Sequence, residues 1–293
     1  MAATILDGRS LAATLREELA AEVAAFKEAH GVTPTLAVVR AGEDPASVSY
    51  ARAIAKACDK VGVAFSAHIL PAEADEAQIK ALVADLSADP EVHGIMIQEP
   101  LPKGVRAGSV LQALDPAKDV DGVHPVNAGR LAQAPPAGRG GEAAHYFVPA
   151  TPAGGMEILR HYNVELSGKH AVVVGRSNIV GKPMALLLLR QHATVTICHS
   201  RTADLAAVCR TGDVLVAAVG RARMIKGDWV KPGAVVVDFG VNFEEGKMCG
   251  DVDFAEAVEV AGMITPVPGG TGPMTNVMLM RNVLEAARLQ VKG

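Results

Sequence analysis

Apolar residues recur every four positions from Leu11 through Leu15 and Leu19 to Val23, with Arg16, Glu17, Glu18, Glu22 and Lys27 around them. That period predicts an amphipathic helix over residues 7–28, capped by Asp7 or Ser10. The period then shortens. The run at 35–39 reads as a buried strand and those at 66–69 and 94–97 as strands, and helical patterns fall at 46–61, 76–86 and 110–114. A second series of strands is predicted at 171–175, 194–198, 214–219 and 234–239, and the chain closes on a helix over 278–289. Strands that alternate with helices specify parallel sheets with crossover helices, an α/β fold.

Between the two series the pattern breaks. Near Asn127 the periodicity stops, and 133–144 holds Pro135, Pro136, Gly138, Gly140 and Gly141, which reads as a surface excursion near a domain boundary. A helix over 155–162 then links the halves. The expected division is one domain over 1–150 plus 276–293 and another over 151–275.

Composition narrows the function classes. The chain has 293 residues, 49% hydrophobic, with net charge −4, which suits two globular domains and offers no basic stripe for nucleic acid. Cys58, Cys198, Cys209 and Cys249 form no C-x-x-C pair, so neither a disulfide framework nor a metal site is expected. No apolar run is long enough to span a bilayer and no signal peptide is seen, so a cytoplasmic setting is expected.

The chemistry begins at the first strand of the second series. Val172–Val174 ends at Gly175, and the spacing Gly175-x-Ser177-x-x-x-Gly181 is a loosened dinucleotide fingerprint before a helix opening near Asn178. Its glycines allow a tight turn and close backbone approach, and the helix start attracts phosphate. A plain turn between a buried strand and a helix has the same look. The next strand ends in His199-Ser200-Arg201-Thr202, where an NAD enzyme would place an acid; Ser200 with Arg176 and Arg201 suits a 2′-phosphate, hence NADP.

Polar residues past strand ends are the other candidates. Gln98 follows the strand at 94–97, Asp119 and Asp121 lie in Lys118-Asp-Val-Asp-Gly-Val-His-Pro125, and Tyr50 falls in the first turn of the helix after Pro45. Each also has a structural reading: a sheet-end cap, a turn, a core tyrosine. The stretch 266–275 packs three prolines and three glycines into ten positions, which suits ligand contact or an interdomain hinge.

Taken together, Asp44-Pro-Ala-Ser47 with Tyr50, Gln98-Glu-Pro-Leu-Pro102, Lys118–Pro125, Val174-Gly-Arg-Ser-Asn-Ile-Val-Gly-Lys-Pro183, Cys198-His-Ser200 and 266–275 resemble the FolD family, methylenetetrahydrofolate dehydrogenase/cyclohydrolase. The resemblance implies two α/β domains with a cleft between them, the second a Rossmann-like NADP-binding domain, in a homodimer. It implies oxidation of 5,10-methylenetetrahydrofolate with NADP, followed by hydrolysis of the methenyl product to 10-formyltetrahydrofolate. By position, Tyr50, Gln98 and Asp121 would be catalytic and bind the reduced folate. Pro268, Gly269, Gly272 and Pro273 would join them as substrate contacts. Gly175, Arg176, Ser177, Ser200 and Val241 would contact the cofactor.

One departure stands out. The resembled signature is Tyr-x-x-x-Lys on a helix, and here Ile54 occupies the lysine position after Tyr50. Arg52 and Lys56 lie about 200° and 240° around the helix from Tyr50, off the shared face. Hydride transfer depends on orientation and needs no protein proton donor. Hydrolysis gains roughly 10²–10⁴-fold from general acid–base help. A working dehydrogenase with weak or absent cyclohydrolase is therefore expected; a fully bifunctional enzyme and a non-catalytic folate-binding paralogue are the alternatives. Glu99 also departs from the usual apolar residue, either altering the electrostatics around Gln98 or facing solvent.

Overall fold

In chain order the computed structural model has β1 (Thr4–Ile5), α1 (Gly8–His30), β2 (Thr35–Ala41), α2 (Pro45–Val61), β3 (Ala64–Leu70), α3 (Glu76–Ala88), β4 (Gly94–Ile97), α4 (Ala107–Leu111), α5 (Pro125–Gln133) and α6 (Ala150–His161). There follow β5 (His170–Val174), α7 (Gly181–Arg190), β6 (Thr194–Cys198), α8 (Leu205–Cys209), β7 (Val214–Ala217), β8 (Val235–Asp238), β9 (Asn242–Glu244), β10 (Lys247–Cys249), α9 (Phe254–Ala257), β11 (Met263–Ile264) and α10 (Thr271–Gln290). The structure describes residues 3–138 and 145–291.

The chain divides into two compact units. One comprises Thr14–Gly129, His145–Ala150 and Asn276–Gly293. Its parallel sheet runs β3-β2-β4. Ala37 and Val39 of β2 pack with Ile79, Val83 and Leu86 of α3 and with Ile95 of β4. On α2, Asp44 caps the first turn by accepting from the Ser47 backbone N–H at 2.9 Å, Pro45 fills a position that needs no donor, and Gly62 closes the helix at φ 79°. The buried residues of α2 are Ser47, Ile54, Cys58 and Val61, a stripe that stays on one face.

The other unit comprises Met1–Ala13, Arg130–Ala144 and Thr151–Thr275. Its parallel sheet runs β1-β11-β8-β7-β5-β6. Four of the five residues of β5 are buried, as both faces of a parallel sheet are covered. Val172 and Leu215 join the core on one side, and Val173 and Val216 that on the other. Chain order enters at β5, steps to β6 and returns past β5 to β7 and β8. The order therefore reverses at β5, which makes its carboxyl end the switch point where doubly wound sheets bind ligands.

The structure differs from the sequence reading in several places. The first thirteen residues group with the second unit, because Thr4 and Ile5 pair with Met263 and Ile264 at the sheet edge. Two residues are too few to show a period. Residues 125–133 form α5 although the apolar periodicity stops there; the buried Asn127 takes a place an apolar residue would otherwise mark. The helix expected at 110–114 is α4, at Ala107–Leu111. The last helix starts at Thr271, its glycine and proline sitting in the first turn. Asp7 rather than Ser10 caps α1, accepting from the Arg9 backbone N–H at 2.9 Å. The unforeseen hairpin β9–β10 turns at Glu245 and Gly246, with φ 50° and 75°.

Of the excursion at 133–144, Pro135 to Ala137 are tied to the end of α7. The Ala137 N–H donates to the Arg190 carbonyl at 2.8 Å and Arg190 Nε donates to the Pro135 carbonyl at 3.1 Å. Residues 139–144 lie outside the described residues.

Candidate active site

Gln98 follows β4, its backbone N–H donating to the Val39 carbonyl at 2.9 Å. The side chain is 3% exposed, and Nε2 donates to the Ser47 carbonyl at 2.7 Å. That bond sets the amide orientation and leaves Oε1 buried with no partner among the described residues. An unmet buried acceptor costs about 1–3 kcal/mol, so this oxygen marks a place where a ligand or water brings a donor. Ser47 Oγ also donates to the Glu99 carbonyl at 3.2 Å, fastening the end of β4 to the first turn of α2.

Tyr50 lies in the second turn of α2, one turn later than the sequence placed it, and is half-buried. Burial first, and the charge of Asp121 second, push its phenol up to about 12, so it stays neutral as a hydrogen-bonding group. Ile54, one turn further along, is 0% exposed. It continues the stripe of Cys58 and Val61 and brings no titratable group.

Asp121 is held by its neighbours. Ile95 of β4 bridges Asp119, and the Ile95 N–H donates to the Lys118 carbonyl at 2.7 Å, so the loop departs alongside β4. The Asp119 carboxylate is buried and accepts from the His124 N–H and from Asn127 Nδ2, each at 2.8 Å. Burial still pushes it up to about 6, against those hydrogen bonds. Gly122 turns the chain at φ 67°, and a Cβ there would lie 2.6 Å from Pro149 N. Asn282 of α10 donates to the Val120 carbonyl at 2.8 Å and the Val148 carbonyl at 3.0 Å. Asp119 is thus a brace, and Asp121, half-buried beside it, makes no side-chain hydrogen bond among the described residues. Burial, then Asp119, then Glu99 raise Asp121 to about 7. Asn282 was missed; it follows Arg281 directly and reads in the sequence as an ordinary polar helix position.

The nucleotide unit builds its own site. Gly175 ends β5 at φ 135°, and a Cβ there would lie 2.1 Å from the Ala218 carbonyl oxygen. A Cβ on Gly181 would meet the Gly175 oxygen at 2.4 Å. Both glycines are therefore demanded by close backbone packing. Arg176, Ser177, Asn178 and Ile179 are exposed, and among the described residues their backbone N–H groups donate to no protein acceptor. Ser177 Oγ accepts from the Val180 N–H at 3.0 Å and the Gly181 N–H at 3.2 Å, capping α7, which begins at Gly181 rather than near Asn178. The hydroxyl proton of Ser177 is left to donate outward.

Val174 and Cys198 are register partners, so Arg176 and Ser200 each stand two residues past paired strand ends. Ser200 and Arg201 are exposed. Val241, 60% exposed, follows β8 at the same end of the sheet. Pro268 and Gly269 lie in the loop before α10 and Gly272 and Pro273 in its first turn. Gly269 has φ 112°, and its carbonyl accepts from the Arg9 N–H at 2.9 Å.

Behind this rim sits a carboxylate pair the sequence did not flag. Asp251 is fully buried and accepts from the N–H groups of Val219 at 2.6 Å, Gly220 at 3.0 Å and Arg221 at 2.8 Å, shaping the loop after β7. Asp238 accepts from the Gly240 N–H at 2.7 Å and the Val252 N–H at 2.8 Å, and burial raises it to about 6.

One unit therefore offers a neutral phenol, an unpaired amide oxygen and a partly buried carboxylate. Among the described residues, the other offers N–H groups with no protein acceptor, a hydroxyl and two guanidiniums, a set suited to anions. Among the described residues there is no group of histidine, cysteine and carboxylate side chains able to hold a metal.

Comparison with known proteins agrees with these two halves. Residues 6–121 match the tetrahydrofolate dehydrogenase/cyclohydrolase catalytic domain, and residues 149–291 match the NAD(P)-binding domain of the same enzymes. The chain is 57% identical to the bifunctional protein FolD of Roseiflexus sp. (strain RS-1), over 99% of this chain and 98% of that one. The crystal structure of the bifunctional FolD enzyme of Campylobacter jejuni superposes with TM-score 0.93 at 41% identity, covering 98% of this chain and 99% of that one. The FolD of Trypanosoma brucei, complexed with NADP and an inhibitor, superposes with TM-score 0.92 at 35% identity, covering 100% of both chains.

Proposed function

The chain belongs to the tetrahydrofolate dehydrogenase/cyclohydrolase family, and we propose that it oxidises 5,10-methylenetetrahydrofolate with NADP while hydrolysing the methenyl product weakly or not at all. The observation that carries the second clause is Ile54, wholly buried where an acid–base group would have to stand.

Bound NADP supplies an oxidised nicotinamide that accepts hydride. The N–H groups of residues 176–179 and the Ser177 hydroxyl hold its phosphates, and Arg176, Ser200 and Arg201 favour a 2′-phosphate over a bare ribose. Asp121 accepts from the N–H donors of the pterin, and Tyr50 lines the ring. Gln98 Oε1 takes the donor it lacks in the free protein. As the methylene C–H bond breaks, a folate nitrogen lone pair forms the C=N bond of the methenyl cation. No proton changes hands, so positioning supplies the rate.

Hydrolysis is different. Water adds to the methenyl carbon, a proton leaves, and a ring C–N bond breaks to give the 10-formyl product. Tyr50 is held neutral and Ile54 offers nothing, so the water is not activated by an amine. Within the same reading the enzyme is a cytoplasmic homodimer of one-carbon metabolism that feeds purine synthesis.

A second reading, full bifunctionality, is favoured by the name of the Roseiflexus relative, a bifunctional protein. Purified protein separates the two. NADPH formation from methylenetetrahydrofolate, faster with NADP than with NAD, supports the first clause, and methenyl decay near the uncatalysed rate supports the second. No reduced cofactor from either nucleotide overturns the dehydrogenase reading, and rapid decay overturns the loss of hydrolysis.

A further inference from the structure

We propose that Glu99 is a specificity-determining residue that makes the folate site favour a cationic one-carbon group over a neutral one. The inference rests on the dehydrogenase reading above and deepens it.

The position of Glu99 comes from the backbone. It follows Gln98 directly, and its carbonyl is held by Ser47 Oγ at 3.2 Å, in the first turn of the helix that carries Tyr50. Gln98 Oε1, buried and unpaired, marks that spot as one where a ligand or water brings a donor. The Glu99 side chain is exposed. Its carboxylate acts on Asp121 through space, the third cause of the raised Asp121 carboxyl after burial and Asp119. Among the described residues no lysine or arginine forms an ion pair or side-chain hydrogen bond with Tyr50, Gln98, Glu99 or Asp121. Lys103, the nearest cation along the following loop, is exposed and forms no ion pair among the described residues.

The consequence concerns charge. Methylenetetrahydrofolate carries no charge at the reacting carbon. Once its hydride has left, the two nitrogens flanking that carbon share one positive charge. Two acidic side chains on this side of the folate, with no lysine or arginine paired to them among the described residues, stabilise the product, and the transition state leading to it, more than the substrate. Such differential stabilisation accelerates the step. A single carboxylate several ångströms away, partly screened by water, changes the balance by about three- to tenfold.

The test compares two folates with the same tail: 5,10-methenyltetrahydrofolate, whose one-carbon bridge is cationic, and tetrahydrofolate, which has none. Their affinities for the full-length protein are measured by equilibrium binding in wild type, Glu99→Gln and Glu99→Asp. Glu99→Gln is expected to weaken methenyl binding about three- to tenfold with tetrahydrofolate binding unchanged, and to slow NADPH formation by a similar factor. Glu99→Asp keeps most of the preference, and added salt shrinks the difference. Equal affinity ratios in wild type and Glu99→Gln overturn the proposal, as does an equal loss for both folates. Wild-type protein that binds neither folate is a separate result, and overturns the underlying functional reading along with it.

Discussion

Replacing Ile54 by lysine restores an amine one helical turn from Tyr50 and isolates what its absence does. Ile54 is fully buried, so the substitution removes about 1.5–3 kcal/mol of apolar burial. The longer stem recovers part of that, and the ammonium adds a desolvation cost unless it finds an acceptor. A net loss of roughly 2–4 kcal/mol is expected, or about 5–10 °C in Tm for a chain of this size. Against this stands the gain in hydrolysis. General acid–base help is worth roughly 10²–10⁴-fold when tuned, and an untuned amine should fall at or below the bottom of that range, about tenfold to a hundredfold. The assay follows the ultraviolet absorbance of methenyltetrahydrofolate with and without enzyme, beside NADPH formation. Ile54→Met serves as a packing control and should leave both rates near wild type. An Ile54→Lys variant that is folded, binds NADP and still leaves methenyl decay unchanged would refute the reasoning.

Gly175→Ala forces a Cβ against the Ala218 oxygen at a backbone angle unsuited to alanine; a loss of about 2–3 kcal/mol and at least tenfold weaker NADP binding are expected by thermal denaturation and titration. Ser200→Asp should invert cofactor choice, raising kcat/KM with NAD relative to NADP by about tenfold or more, since an acid there accepts ribose hydroxyls and repels the 2′-phosphate. The buried carboxyls give a pH prediction. Asp121 is raised to about 7, and Asp119 and Asp238 to about 6, all from 3.8 and all chiefly by burial. With folded values above the unfolded one, the stability they contribute is present below 3.8 and lost as pH rises through 6 to 7. Tm should therefore fall between about pH 4 and 7 and level off above that, and Asp121→Asn should flatten the slope.

The regular parts of the fold were legible because burial wrote them twice. Leu11, Leu15, Leu19 and Val23 are buried at the helical period, and Ala171–Val174 form an apolar run because both faces of β5 are covered. What escaped had no period to show. β1 and β11 are two residues each, and Asn127 is buried for its hydrogen bonds rather than its oil. Thr271, Gly272 and Pro273 look like loop by composition yet open α10, because Thr271 Oγ1 finds its acceptor on the distant Asp238 carbonyl at 2.8 Å. The candidate site shows the same split. Gln98 and Gly175 announce themselves at strand ends, and Asp121 in a glycine turn. Asp119 is braced by His124 and Asn127 within eight residues but without any period, and the partners of Asn282 and Asp251 lie far along the chain, where no local window contains them.

The most direct test of the central claim is the yield of methenyltetrahydrofolate for each NADPH formed, followed through a complete reaction on purified wild-type protein. The two are expected to rise together, and the methenyl form then to decay no faster than in buffer. A methenyl signal that stays low while NADPH accumulates, with 10-formyltetrahydrofolate taking its place, would contradict it.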